Sequence, residues 1–361
     1  MKYLIVAGAR PNFMKVAPIL GAFSKVEGPD VKLIHTGQHY DRAMSDSFFE
    51  DLGIPEPDIH LGAGSGSHAE QTARIMMGFE QVCLQEHPDW VVVVGDVNST
   101  LACSVTAKKL GVRVAHVEAG LRSRDMSMPE EINRLCTDAI SDLLFTTDEI
   151  ANENLRTEGV CSDRIDFVGN TMIDTLLRHL ERARSFPLPD GLEQGHYGVL
   201  TLHRPSNVDT PETLRPLINV IQELAESIPV VFPVHPRTRK NLETFGLLDS
   251  AAVGCGIRLV EPMGYLRFIG LVSHARFVLT DSGGIQEETT VMGVPCLTLR
   301  HNTERPITCS MGTNYLVGTD PAQIRATAQA VLAGEMRAGA VPPKWDGKAS
   351  VRIVDRLVGL R

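Results

Sequence analysis

No CxxC pair occurs anywhere in this chain. Its seven cysteines stand singly at positions 83, 103, 136, 161, 255, 296 and 309. An odd number at such spacing points to reduced thiols in a cytoplasmic setting rather than a disulfide framework or a cysteine zinc site. No apolar run approaches the length of a membrane span. Residues 1–6 lead directly into a strand without a basic leader, so neither an anchor nor a targeting segment is expected. Positive charge is in deficit, 35 Lys and Arg against 44 Asp and Glu, for a net charge of −9. That balance opposes nucleic acid or an anionic membrane as a general partner, and an anionic small substrate would need a local cluster of cations. Short-period repeats and low-complexity segments are also missing.

What is present suits a globular protein of more than one core. The 361 residues are 43% hydrophobic and 22% charged, and that length makes two domains the natural expectation. Short apolar runs at 3–8, 31–35, 90–94, 112–117, 143–146 and 165–168 read as strands. Amphipathic stretches, from about residue 12 and over about 69–87, alternate with them. This is the pattern of parallel βαβ units. Residues 171–184 read as a helix, and the Pro- and Gly-rich stretch 186–191 as a linker. A second strand series follows at 197–202, 230–234, 257–260, 276–280 and 296–299, with terminal helices over 324–332 and 351–360.

The chemistry concentrates at Thr280-Asp281-Ser282-Gly283-Gly284-Ile285-Gln286-Glu287-Glu288. A strand gives way to a helix there, with the helix expected from Ile285. Gly283 and Gly284 let backbone N–H groups approach an anion, and the helix N-terminus adds partial positive charge. A diphosphate fits such a cradle. Glu288, about one helical turn further on, can accept hydrogen bonds from the two hydroxyls of a ribose. A capped strand-to-helix turn alone would account for the Ser-Gly-Gly; the acidic pair that follows makes the stretch more specific.

Strand after strand ends on a polar residue: Arg10, His35, Asp96, Glu118, His203, His235, Asp281 and Arg300. Ligands of open parallel sheets bind beyond the carboxyl ends of the strands, and two such sheets facing each other would bring these groups to one cleft. Acids crowd the first half: Asp96, Glu118, Glu130 and Glu131. Carboxylates crowded in a dry cleft raise one another's pKa, so that one serves as acid and another as base. First-turn placement at a helix N-terminus would explain at least one of the adjacent glutamates. Cations gather in Arg10, Lys15, His203, His235, Arg300 and Arg305, able to stabilise charge on a departing phosphate.

Gly8-Ala9-Arg10-Pro11, Gly95-Asp96, His116-Val117-Glu118-Ala119-Gly120-Leu121-Arg122, Pro129-Glu130-Glu131-Ile132-Asn133-Arg134, Gly169-Asn170-Thr171, residues 280–288 and Thr303-Glu304-Arg305-Pro306 occur in this order across almost the whole chain. Together they resemble the bacterial non-hydrolysing UDP-N-acetylglucosamine 2-epimerases. The resemblance implies an α/β protein of the GT-B fold, two Rossmann-like domains with parallel sheets facing across a central cleft. It implies an N-terminal domain over 1–170, a connecting helix and linker over 171–196, and a UDP-binding domain over 197–348. The C-terminal helix, 349–361, would pack back on the first domain. The implied reaction interconverts UDP-GlcNAc and UDP-ManNAc through loss of UDP, a 2-acetamidoglucal and re-addition of UDP with inversion at C2. No metal or other cofactor is called for, and a cytoplasmic homodimer is expected.

By the same resemblance Asp96, Glu118, Glu130 and His203 are the catalytic residues. Arg10 and Lys15 would face the diphosphate, Ser282, Gly283 and Gly284 would hold the phosphates, Glu288 the ribose, and Arg305 would complete the anion site. Glu131, Arg134 and His235 join the substrate-binding set. Gln38 and His39 match the element that binds a second, activating UDP-GlcNAc, while Tyr40-Asp41 depart from that pattern. The 35–41 stretch also resembles a sister group acting on UDP-2,3-diacetamido-2,3-dideoxyglucuronic acid. A hydrolysing epimerase and a UDP-sugar sensor without turnover are further alternatives, the latter disfavoured because binding UDP does not require all four catalytic residues.

Overall fold

A computed structural model describes residues 1–37, 52–248, 256–336 and 338–360, with Arg10 described through its backbone only. The chain divides into two compact units, one of residues 1–178 and 343–361, the other of residues 179–342.

The first unit is built on a seven-stranded sheet. Its strands are β1 (Lys2–Ala7), β2 (Asp30–His35), β3 (Ile59–His60), β4 (Trp90–Val94), β5 (Arg113–Ala119), β6 (Leu143–Thr146) and β7 (Ile165–Phe167). All pair in parallel, in the order β3-β2-β1-β4-β5-β6-β7. Helices cover such a sheet on both faces, which is why the Trp-Val-Val-Val-Val of β4 is buried throughout rather than alternating. Leu4, Val6, Val91 and Val93 pack against Ile75, Phe79 and Val82 of the helix His68–Glu86.

The second unit holds β8 (Gly198–Thr201), β9 (Val230–Pro233), β10 (Ile257–Val260), β11 (Phe277–Thr280), β12 (Cys296–Thr298) and β13 (Asn314–Leu316). These also pair in parallel, in the order β10-β9-β8-β11-β12-β13. Both sheets are doubly wound, the α/β architecture of the GT-B class. In each, strand order reverses at one place, between β1 and β4 in the first and between β8 and β11 in the second. These switch points open the crevices where such sheets bind ligands.

Two boundaries differ from the sequence reading. The helix Thr171–Arg184 does not belong wholly to a connector, because residues 171–178 group with the first unit. Residues 343–348, expected in the second domain, already lie in the first unit. There Trp345 is buried and donates Nε1–H to Thr147 O at 2.9 Å, and Lys344 Nζ donates to Phe167 O at 2.6 Å. The final helix, Ala349–Val358, starts on Asp174, whose carboxylate accepts from Ala349 N at 3.1 Å and Ser350 N at 2.7 Å. Lastly, β3 and β13, of two and three residues, are too short to carry a periodicity signal.

Candidate active site

The first switch point is assembled by the ends of β4 and β5 and by the helix Arg10–Phe23 that follows β1. Asn12 Oδ1 accepts from Gly8 N and Ala9 N, and its Nδ2 donates to Val94 O, tying the start of that helix to the end of β4. This brings the helix start forward to Arg10 from the expected residue 12. Lys15 from the next turn is buried and sits 2.6 Å from Glu118 Oε2, itself 3% exposed. Glu118 lies at a register shift between β5 and β6, with φ of 70°. The left-handed region is costly for a residue with a Cβ and persists only where its surroundings hold it. Lys15 was expected to face a diphosphate; here it is the counter-ion that permits a buried Glu118.

Asp96 is part-exposed, and its Oδ2 accepts from Arg134 Nη2 at 2.5 Å. Its carbonyl accepts from Asn133 Nδ2 at 2.8 Å, so both contacts come from the helix Pro129–Ile140. Arg134 also reaches Glu131 Oε2 at 2.8 Å. Glu131 is only 1% exposed and accepts from Ser123 N, Ser123 Oγ and Arg124 N. Burial pushes its carboxyl up, but these donors and Arg134 outweigh that and hold it below the ordinary value. Glu131 therefore anchors the loop 121–128 and orients Arg134. Glu131 and Arg134, both expected to bind substrate, are buried and paired with each other here. Glu130, its neighbour, is exposed on the first turn of the helix. Crowded acids were expected to tune one another; the structure sets Glu118 against Lys15, and Asp96 against Arg134, which Asp96 shares with Glu131.

The second switch point carries His203 beyond β8 and Asp281 beyond β11. Asp281, wholly buried, accepts from His203 N, Arg204 N and Asn207 Nδ2, and its Oδ1 lies 2.8 Å from His203 Nδ1. Burial pushes the Asp281 carboxyl up; the His203 contact and the backbone donors outweigh it and hold it low. The His203 ring is thereby fixed through Nδ1 while its side chain stays 45% exposed. His235 caps the helix Pro236–Thr244, with its ring centroid 6.3 Å from that of His203. Burial, His203 and Arg237 push its imidazole toward the neutral form against the pull of Asp281.

Ser282 is the N-cap of the helix Gly283–Met292. The two glycines thus occupy the first helical positions, rather than a turn before a helix starting at Ile285. A Cβ on Gly283 would stand 2.7 Å from Arg305 Nη1 and 2.8 Å from Glu304 Oε1. Arg305, expected to complete the anion site, has two carboxylates beside it. It is buried between Glu304 at 2.6 Å and Glu287 at 2.9 Å, and Glu304 also pairs with Arg300 at 2.9 Å. A buried guanidinium requires such counter-charges. Glu288 is buried and accepts from Tyr265 Oη at 2.8 Å. Burial first, then Glu287, lifts its carboxyl to about 8 against the opposing hydrogen bond from Tyr265.

Asp96, Glu118 and Lys15 thus come together at one switch point, and His203, His235, Ser282, Gly283 and Gly284 belong to the other. Asp281, Glu287 and Glu304 stood within the quoted strand ends and motifs without an assigned role, and Tyr265 left no signal in the sequence. Arg10 opens its helix, and its side chain, like Gln38 and His39, lies outside the described residues. Among the described residues no cluster of His, Cys, Asp and Glu could hold a metal ion, no helix is long and apolar enough to cross a membrane, and the six cysteines are unbridged.

Residues 22–358 match the family model described as UDP-N-acetylglucosamine 2-epimerase. A UDP-N-acetylglucosamine 2-epimerase of Methanocaldococcus jannaschii is 44% identical, with 98% of each chain covered. A crystal structure of the Methanocaldococcus jannaschii UDP-GlcNAc 2-epimerase, in complex with UDP-GlcNAc and UDP, covers 99% of this chain at a TM-score of 0.89 and 43% identity, matched over 100% of its own length. A UDP-2,3-diacetamido-2,3-dideoxy-D-glucuronate 2-epimerase of Pseudomonas aeruginosa is 41% identical, with 100% of each chain covered. Relatives thus come from an archaeon as well as a bacterium, and the likeness is not to bacterial enzymes alone. The chain belongs to the UDP-N-acetylglucosamine 2-epimerase family, a family of isomerases.

Proposed function

We propose that this protein interconverts UDP-GlcNAc and UDP-ManNAc without hydrolysis. The C2–H proton passes to an enzyme base while the anomeric C–O bond breaks, leaving 2-acetamidoglucal and UDP. UDP then adds back to C1, and a proton is delivered to the opposite face of C2. Asp96, Glu118 and Glu130 are assigned to the proton transfers, with His203 on the departing phosphate. Ser282, Gly283 and Gly284 take the phosphates, Glu288 the ribose, and Arg10 and His235 assist. Lys15 neutralises Glu118, and its place as a diphosphate ligand requires that pair to open. The observation that carries this reading is the pair of carboxylates at the β4 and β5 ends, each set against a fixed cation, in a chain whose other switch point opens on a glycine-led helix. A structural ion pair would not require Glu118 to hold a left-handed backbone.

The protein is further proposed to act as a cytoplasmic homodimer without metal or nucleotide cofactor. Gln38 and His39 are kept as the place for an activating second UDP-GlcNAc. The full-length match to the Pseudomonas enzyme supports a second reading, in which the sugar is the 2,3-diacetamido uronate and the chemistry is unchanged.

The test is incubation with UDP-GlcNAc in D₂O, following C2–H by NMR. Deuterium at C2 together with UDP-ManNAc is the expected outcome. Free sugar and UDP would indicate hydrolysis. No exchange with UDP-GlcNAc, but exchange with the diacetamido uronate, would establish the second reading, and no exchange with either would leave a sensor.

A further inference from the structure

Beneath the first switch point lies a buried charged cluster that the proposed chemistry does not use. It joins His116 of β5, Asp138 of the helix Pro129–Ile140, and Arg122. His116 is completely buried, Asp138 is 1% exposed and Arg122 6%. His116 Nδ1 lies 2.6 Å from Asp138 Oδ1, and Nε2 lies 2.7 Å from Gly95 O. Asp138 Oδ2 accepts from Gly120 N at 3.0 Å and pairs with Arg122 at 2.7 Å. Arg122 continues to Leu121 O and to Glu158.

The placement of these contacts relative to the carboxylates is the point. Gly95 immediately precedes Asp96, and its carbonyl is held by His116. His116 and Gly120 stand two residues either side of Glu118, and both are held by Asp138. Gly95 N donates to Val117 O at 3.0 Å, closing a second link between β4 and β5. Gly120 has φ of 79°, and a Cβ there would lie 2.5 Å from Ala151 O, so the segment after Glu118 is also sterically confined. Glu118's unfavourable backbone is thus pinned at both flanks by one carboxylate.

The hydrogen-bond pattern also sets the charge on the ring. A backbone carbonyl only accepts, so Nε2 donates. An ionised Asp138 only accepts, so Nδ1 donates as well, and an imidazole donating at both nitrogens is an imidazolium. Arg122 on the same carboxylate favours its ionised form.

We propose that Asp138 and His116 are positioning residues that lock Asp96 and Glu118 into their working geometry, with His116 a buried imidazolium. The catalytic half of this inference rests on the epimerase reading above. Its test uses the full-length protein with ¹⁵N-labelled histidine. In the wild type both His116 ring nitrogens should show the shifts of protonated, hydrogen-bond-donating nitrogens at the assay pH. A neutral ring with one bare nitrogen overturns the proposal without any variant. Asp138→Asn should lower kcat per UDP-binding site by up to about 100-fold, because misplacing groups by an ångström can cost that much. KM and UDP affinity should stay within about threefold, since the loss belongs to the chemical step. Counting sites by UDP titration removes any inactive fraction, so a merely structural role would leave kcat per site unchanged, and that result overturns the proposal. If Asp138→Asn does not fold, His116→Gln, which keeps one donor toward Gly95 O, is read by the same criteria. Wild-type protein that exchanges no C2–H with either sugar would count against the epimerase reading, while the ring spectrum still decides the state of His116.

Discussion

Replacing Glu288 by Gln tests the most unusual carboxyl in the second unit. Gln keeps the acceptor for Tyr265 Oη and removes the ionisation. Glu288 moves from an ordinary value of 4.5 to about 8, chiefly through burial. Between those limits the folded protein holds a proton that the unfolded chain has released, so stability falls as pH rises. Below 4.5 both states hold it, and above about 8 neither does. At about 1.4 kcal/mol per pH unit, the wild type loses up to about 5 kcal/mol across the window. The Gln variant loses none of it. Its stability relative to wild type should therefore climb from pH 4.5 to pH 8 and then level off. Both tryptophans, Trp90 and Trp345, lie in the first unit, so their fluorescence is the wrong probe. Urea unfolding followed by hydrogen exchange in peptides covering 265–292 reads the correct unit. A difference independent of pH, or one that favours wild type increasingly at high pH, refutes the reasoning.

Two further outcomes follow from the geometry. Lys15→Met leaves Glu118 buried without its cation and should cost about 3–5 kcal/mol. Adding Glu118→Gln should restore much of that in a double-mutant cycle read by tryptophan fluorescence. Gly283→Ala places a methyl against Arg305 and Glu304, an overpacking cost of about 1–3 kcal/mol. Calorimetry should show UDP affinity reduced by about tenfold at that cost, with circular dichroism showing the fold retained.

The alternation of apolar runs with amphipathic stretches was enough to call for two parallel α/β series, because sheets covered on both faces need continuous apolar strands. The motif residues at strand ends were legible for the same reason: a run such as Trp-Val-Val-Val-Val has a visible end, and Gly95-Asp96 follows it. Partnerships were not legible. Nothing local to Lys15 marks it as the mate of Glu118, and nothing near Arg305 announces the carboxylates of Glu304 and Glu287. Glu130 and Glu131 are adjacent and alike in sequence, yet one faces solvent and the other anchors a loop, because neighbours on a helix point about 100° apart.

By itself the chain order of residues determined the fold class, the family, and which side chains stand at strand ends, since these depend on periodicity and on motifs within short stretches. Only the tertiary structure decided which charges neutralise one another, that Glu118 takes a left-handed backbone, and that Asp138 joins His116, Gly120 and Arg122. Such facts depend on contacts between residues far apart in the chain. Their physical origin is burial, which obliges every charge taken out of water to find an opposite one, wherever in the sequence it lies.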